Sequence, residues 1–483
     1  MRFFEILLAL VCAVLLLSLC FRKIRSRRTA FILAAVSYLL LTTHFLLEGY
    51  RWQMFLIYAL VVFLTLIALL RSYQRTFFGR RRTGKIRNLL RYSLYSVMAV
   101  LFILSVSLSL LLPVFSLPEP EGPYAAGTET FHFVDAARDE LLTDLEGDKR
   151  ELIVQFWYPA NINDQAKSEP VFPQTDGKFE ELKQAFSREL GGFPAFLIDY
   201  WKYIGTNSYK GAKISAAQQS WPVVILSHGM GTTRTIHTSQ AENLASNGFV
   251  VAAIDHTYST VITSFPDGKT TGFRTELNKD NLYEASSRVG TIWLQDVEFV
   301  VDQLERMNAG DMESPFINKL DLSNIGAMGH SFGGSTAFNS LCLSEKTKAA
   351  INMDGTLFRL DGSYNLEKPF LLITSEGYLE RAELFKKASI TDEELKTNKL
   401  TRELYNIYKP MLVSENEFLE KLQKNKGKLI LMENAAHFNY TDLQLYTSLL
   451  QYAGITGSAN GRQFAGTINR YVLDFFNENL RGN

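Results

Sequence analysis

The stretch NIGAMGHSFGGSTAFNSLC, residues 324–342, reads as a strand, a sharp turn and a helix in immediate succession. NIGAM is a short apolar run and GSTAFNSLC a helical one. Between them G-H-S-F-G, Gly329–Gly333, has the pattern of a nucleophile elbow. Such a turn holds its serine in a strained backbone conformation with the hydroxyl exposed, and side chains at Gly329 and Gly333 would clash there. The pentapeptide alone occurs by chance; the strand before it and the helix after it make Ser331 a candidate nucleophile.

Outward from this point the chain alternates strand-like and helical segments. Strand candidates are FHFV (131–134), LIVQFWY (152–158), PVVILS (222–227), FVVAAID (249–255), NIGAMG (324–329), AAINMD (349–354), PFLLIT (369–374) and KLILME (428–433). Several are continuous β-branched runs, as expected of strands buried on both faces. Helical patterns at Thr235–Asn247, Ser287–Met307 and Ser335–Ser344 separate them. This alternation predicts an α/β fold: a mostly parallel sheet with helices on both faces. Two connections are long, 160–220 and the charged, amphipathic 376–427. Excursions of that kind serve as lids over a site or as solvated helical decoration.

A serine hydroxyl needs a base to take its proton. In a fold with this elbow the chain order is serine, acid, histidine. Of the seven histidines, only His437, in ENAAHF after the last strand candidate, lies beyond Ser331 and outside the elbow. His44 falls in an apolar run, His132 on a strand, His237 in a helix and His330 inside the elbow, pointing away from the serine. His228 and His256 follow strands that precede Ser331. The acid is expected after a strand between Ser331 and His437. Asp354, closing AAINMD, is favoured; Asp361 and Glu376 are rivals. An oxyanion hole needs two backbone N–H groups. Phe332, next to the serine, supplies one, and Met230 in the loop HGMGT (228–232) after PVVILS supplies the other.

The N-terminal part is of another kind. Four apolar stretches, 3–21, 29–47, 52–70 and 92–117, are each 19 residues or longer. Nineteen helical residues rise about 28 Å, close to the ~30 Å hydrocarbon core of a bilayer. A transmembrane region at 1–117 and a catalytic domain at 118–483, with a helical insertion at 376–427, are therefore expected. Formal charge is zero over the whole chain, but residues 1–116 hold 15 basic and two acidic side chains, leaving 35 basic and 48 acidic beyond them. The basic residues cluster at 22–28 and 71–91, between apolar runs. They read as cytoplasmic loops and not as a nucleic-acid surface, which would sit on a soluble face with aromatic partners. Both basic loops inside place the N-terminus and the catalytic domain on the extracytoplasmic side of a multi-pass cell-membrane protein. A cleaved signal peptide is disfavoured because FRKIRSRR, with no small-residue cleavage pattern, follows the first run.

Cys12 and Cys20 lie in the first run, so Cys342 alone cannot form a disulfide within the outer domain. No H-E-x-x-H, paired-Cys cluster or phosphate loop is visible, so no metal or cofactor is expected.

HGMG after a strand, NGFVVAAIDH (247–256), GHSFGG, an Asp 23 residues beyond the serine and a late His together resemble the plasma-type (type II) platelet-activating factor acetylhydrolases and their bacterial relatives. GPYAAGTETFHFVD (122–135) and DKRELIVQFWYPA (148–160) add to the likeness, which covers most of 121–483. The resemblance implies an α/β-hydrolase fold and a calcium-independent serine esterase preferring short or oxidised acyl chains on phospholipids. It also implies Ser331 as nucleophile, Asp354 as acid, His437 as base, and Met230 and Phe332 as oxyanion donors. The apolar N-terminal runs and the stretch 376–427 depart from soluble members, which bears on the substrate more than on the chemistry. Polyester and dienelactone hydrolases share much of the pattern. The expected partner is thus a lipid or small ester, at a membrane. A contrasting class is a non-catalytic hydrolase-fold binding domain, which generally lacks one triad member.

Overall fold

The computed structural model describes the chain except residues 21–26, 78–84, 163–166, 173–176, 190, 279–280, 358–359, 361–366, 388, 399, 425–426 and 482–483. The rival acid Asp361 and the basic residues Arg22, Lys23, Arg25 and Arg80–Arg82 lie outside the described residues. Two compact units emerge: Met1–Phe115 with Pro194–Tyr203, and Ser116–Phe193 with Ile204–Asn483.

The first unit holds helices α1 (Phe3–Cys20), α2 (Arg27–Leu47), α3 (Phe55–Phe77) and α4 (Lys85–Leu111). Leu8, Cys12, Leu15 and Leu19 recur at helical spacing on α1 and pack with Ile57, Val61 and Leu64 of α3. Among the described residues three segments are long and apolar enough to cross a membrane: Arg28–Leu47, Trp52–Leu70 and Leu89–Leu111. The apolar helix Phe3–Leu19 is shorter. The expected fourth stretch, 92–117, is displaced: the helix starts at Lys85 and stops at Leu111, because Pro113 cannot continue the ladder and restricts the residue before it. Ser116 and Leu117 instead pair with Gly205, within the second unit. Inside the helix cluster a buried Glu5–Arg51 ion pair closes at 2.8 Å.

The second unit is built on eight main strands: β1 (Ala125–Asp139), β2 (Lys149–Asn161), β3 (Trp221–Ser227), β4 (Val250–Asp255), β5 (Leu320–His330), β6 (Thr347–Met353), β7 (Phe370–Ser375) and β8 (Gly427–Met432). All eight strand candidates fall on these. The sheet order is β8-β7-β6-β5-β3-β4-β2-β1, with the short strand Ser208–Lys210 at the β1 edge. From β4 to β8 every pairing is parallel; β2 runs antiparallel to both β4 and β1. Two further pieces, a strand at Lys213–Ile214 and a hairpin of Ile262–Ser264 with Thr270–Gly272, are too short to carry a readable pattern, and the connection between β2 and β3 also carries α5 (Lys178–Glu189).

Period-two alternation splits the strand residues between two helical layers. Val224, Leu226, Val251, Ala253 and Met328 face α6 (Thr238–Ser246) and α12 (Gly461–Leu480), where Leu244, Ile468 and Phe476 complete the core. Val223, Ile225, Val250 and Ile254 face the opposite way onto Val297, Val300 and Leu304 of α7 (Leu282–Ala309). Farther along that face, α8 (Phe332–Leu343) covers β5–β7 through Ala337, Phe338 and Leu341. The connection 376–427 forms α9 (Tyr378–Lys386), α10 (Asp392–Thr397) and α11 (Arg402–Lys424). Leu384, Phe385, Ile390, Leu395 and Tyr405 give this insertion a small core of its own, while Phe418 and Leu419 tie it to the α8 side of the sheet.

Helix α6 carries two buried carboxyl contacts. Asp442, on the segment after β8, accepts hydrogen bonds from the Ser239 N–H at 3.0 Å and from the Ser239 hydroxyl. Glu242 accepts from the Asn207 N–H at 2.7 Å and from the Ser208 hydroxyl. Burial pushes both carboxyls up to about 7 against these bonds. Their folded-state pKa lies above the unfolded one, so the stability they contribute is complete below about pH 4 and is lost as pH rises through about 7. The unfolding midpoint of the detergent-solubilised full chain should therefore fall between about pH 4 and 8. Asp442→Asn should flatten that fall, and an unchanged slope in the variant would count against the assignment.

Candidate active site

Strands β3 and β5 lie side by side, with Ser227 paired to Gly329 and Leu226 to Met328. The loops leaving their carboxyl ends therefore meet, at the point in the sheet where strand order reverses. Ser331 sits between β5 and α8 at φ 56°, ψ −122°, a conformation L-residues avoid unless their surroundings impose it. The Ser331 N–H is held by the Met353 carbonyl at 2.9 Å. The glycines flanking the turn have no room for a side chain. A Cβ at Gly329 would come within 2.3 Å of the Gly333 backbone, and one at Gly333 within 2.2 Å of the Ser227 carbonyl oxygen.

Strands β5 and β6 pair His330 with Met353, so the residues just beyond them, Ser331 and Asp354, emerge next to each other. Asp354 is also at positive φ, 55°, and its N–H bonds the Ile373 carbonyl at 2.8 Å. His437 lies in a one-turn helix after β8. Its Nε2 is 2.9 Å from Ser331 Oγ and its Nδ1 2.7 Å from Asp354 Oδ2. The other Asp354 oxygen accepts from the Thr374 hydroxyl. An imidazole so held, Nδ1–H toward a carboxylate and Nε2 toward a hydroxyl, can take up the hydroxyl proton and be stabilised while charged. The carboxylate on His437 Nδ1 is thus that of Asp354, while the rival Glu376 accepts from the Asn434 N–H at 3.4 Å.

The residue inside the elbow has a part that its sequence position did not disclose. His330 Nε2 lies 2.7 Å from the main-chain carbonyl of His437. A carbonyl only accepts, so this nitrogen carries the hydrogen. Burial first, and the neighbouring His437 second, push His330 well below the ordinary imidazole range, so it is neutral. It anchors the backbone of the histidine that contacts Ser331. Gln240 does similar work one turn later, donating to the Tyr440 carbonyl at 2.9 Å. Neither contact has a sequence signal.

The loop His228–Thr232 follows β3. A Cβ at Gly229 would lie 3.3 Å from Ser331 Cβ, so the missing side chain lets this loop lie against the elbow. Behind it runs a second Ser–His–Asp chain: Ser227 Oγ is 3.1 Å from His256 Nε2, and His256 Nδ1 is 2.9 Å from Asp296. All three are buried, 2%, 0% and 0% exposed, whereas the His437 side chain is 43% exposed. Burial would raise the Asp296 pKa, but Arg150, bonded at 2.6 and 3.0 Å, outweighs it and lowers it. Accessibility therefore separates the two chains where hydrogen-bond pattern does not. Beside His256, Asp255 accepts from the Arg234 N–H at 3.0 Å and pairs with the Arg234 guanidinium.

A cavity of about 220 Å³ opens beside the His437–Asp354 pair. His437, Asp354 and Thr356 border it on one side; Tyr378 and Ala382 of α9 and Leu412 of α11 border it on the other.

The chain is similar to known proteins. The family model described as platelet-activating factor acetylhydrolase, isoform II, matches residues 113–482. A probable 1-alkyl-2-acetylglycerophosphocholine esterase of Arthroderma benhamiae is 29% identical over 255 residues, 50% of this chain and 60% of that protein. The platelet-activating factor acetylhydrolase of Gallus gallus is 24% identical over 353 residues, 65% of this chain and 79% of that one. Among solved structures, a ferulic acid esterase from Streptomyces cinnamoneus aligns with a TM-score of 0.56 at 24% identity, covering 77% of this chain and 94% of its own. That likeness speaks to the fold, a mixed α/β sheet with helices. From the segment that leaves the fourth apolar helix almost to its last residue, the chain belongs to the platelet-activating factor acetylhydrolase isoform II family.

Proposed function

We propose that this ester hydrolase is a membrane-anchored serine esterase that cleaves short-chain or oxidised acyl esters of phospholipids. The observation that carries the reading is an exposed His437 bridging Ser331 and Asp354, at 2.9 and 2.7 Å. In this reading the Ser331 hydroxyl gives its proton to His437 Nε2 as Oγ bonds the ester carbonyl carbon. Asp354 holds the imidazole in the required tautomer and stabilises its positive charge. The oxyanion is met by the N–H groups of Met230 and Phe332. His437 then returns the proton to the departing alcohol oxygen, leaving an acyl-enzyme. Water, deprotonated by the same nitrogen, releases the acid and restores Ser331. The acetylglycerophosphocholine ester in the name of the Arthroderma relative supports the phospholipid class.

Anchoring is supported by the first unit. Leu39, Leu46 and Ile103 on its outer faces are 67%, 79% and 61% exposed, apolar area that a bilayer would cover. The basic residues at 22–28 and 71–91 favour a cytoplasmic position for those loops and an extracytoplasmic catalytic domain.

A fluorophosphonate probe should label the wild-type protein and not Ser331→Ala; equal labelling of both would remove Ser331 as nucleophile. Asp354→Asn should keep the fold and lower turnover of a short nitrophenyl ester by about 10⁴-fold, while Glu376→Gln changes it little. The reverse pattern would move the acid to Glu376. Protease added outside spheroplasts should digest the domain after Leu117; digestion only after lysis would overturn the orientation.

A further inference from the structure

The peptide between Gly229 and Met230 is held from one side only. The Gly229 carbonyl oxygen has three donors: His228 Nδ1 at 2.7 Å, Thr232 Oγ1 at 2.6 Å and the Thr232 N–H at 3.0 Å. The tautomer of His228 follows from its other nitrogen. Nε2 faces the His256 N–H at 3.2 Å and must accept, so the ring hydrogen is on Nδ1 and is donated to Gly229. Burial, with His256 beside it, keeps this ring neutral.

In a trans peptide the C=O and the following N–H point in opposite directions. Three donors on the Gly229 oxygen therefore turn the Met230 N–H away from His228 and Thr232. The next two N–H groups are occupied, Gly231 by the Ser259 carbonyl at 2.9 Å and Thr232 by Gly229. The Met230 N–H has no hydrogen-bond partner among the described residues. It leaves a loop that Gly229 brings against Ser331. The residue whose backbone N–H fixes His228 is itself fixed. His256 is stacked on Trp293 with centroids 3.8 Å apart and is clamped between Ser227 and Asp296.

We propose that His228 and Thr232 are positioning residues that set the oxyanion hole, by pinning the Gly229 carbonyl so that the Met230 N–H stays aimed at the developing charge. The inference rests on the reading of Met230 as a hole donor. Neither side chain touches substrate; both act through one peptide plane. Because the alignment is built before substrate arrives, their contribution belongs to the transition state and not to ground-state binding.

Thr232→Val removes the hydroxyl donor at nearly constant shape, and Thr232→Ser restores it. His228→Leu removes the ring donor, and His228→Asn returns an N–H near the Nδ1 position. Kinetics on a short nitrophenyl ester with the full chain in detergent should show kcat reduced about 10-fold or more in Thr232→Val and His228→Leu, with KM within about 2-fold. Thr232→Ser should recover most of the loss. Inhibition by a trifluoromethyl ketone, which forms a tetrahedral oxyanion on the serine, should weaken in step with kcat/KM. Wild-type kcat in Thr232→Val, or a loss of kcat with unchanged ketone affinity, would overturn the proposal. The esterase reading fails separately, if wild-type protein neither turns over the ester nor reacts with a fluorophosphonate. Turnover that depends on Ser331 but ignores Thr232 would sink only the positioning role.

Discussion

Ser227 and Gly329 are paired across neighbouring parallel strands, and everything at the site follows from how little space lies beyond that pair. The carbonyl of Ser227 sits where a side chain at either Gly329 or Gly333 would have to go. Two glycines therefore let α8 begin at once after β5, and the chain turns through Ser331 in a conformation that only tight surroundings sustain. The same closeness brings the β3 loop to the elbow. Register then does the rest. Asp354 leaves β6 one residue beyond the partner of His330, and β8 returns the chain so that His437 falls between Ser331 and Asp354.

Behind the site lies a buried cluster of charge. Arg150, Asp296 and Glu140 are buried together, with Arg138 reaching Asp296 from the side. Removing such groups from water costs several kcal/mol each, so a buried network of this kind is weak evidence of stability. Its geometry is better explained as orientation. Asp296 fixes the His256 tautomer, His256 presents its backbone N–H to His228, and His228 bonds the loop opposite the elbow.

Much of this architecture is legible in the residues. Continuous runs such as PVVILS and FVVAAID read as strands covered on both faces, and G-H-S-F-G between a strand and a helix makes Ser331 the candidate nucleophile. Chain order narrows the histidines to His437. Other features carry no one-dimensional signal. Whether the acid is Asp354 or Glu376 depends on where each side chain points, which spacing from Ser331 does not state. The bond from His330 to the His437 carbonyl spans 107 positions and ends on a backbone atom that every residue possesses. The Ser227–His256–Asp296 chain looks, in sequence, like three unrelated polar residues, two at strand ends and one in the middle of a helix. The C-terminal end of the fourth apolar helix is misplaced for a local reason: hydropathy continues through Leu112–Leu117, while Pro113 ends the hydrogen-bond ladder.

The helical insertion between β7 and β8 has a separate small core around Phe385 and Tyr405, yet its Tyr378, Ala382 and Leu412 form one wall of the cavity beside His437. Support and selectivity are thus divided between two parts of the chain. The loops at the ends of the sheet strands carry Ser331, Asp354 and His437, and the insertion borders the space next to them, with Glu415 of α11 bonding the Leu357 N–H beyond Asp354 at 3.0 Å. Substitutions on that wall can accumulate under selection for a new ester while the machinery that cuts the ester stays constant. The insertion is where descendants of this chain would diverge in diet first.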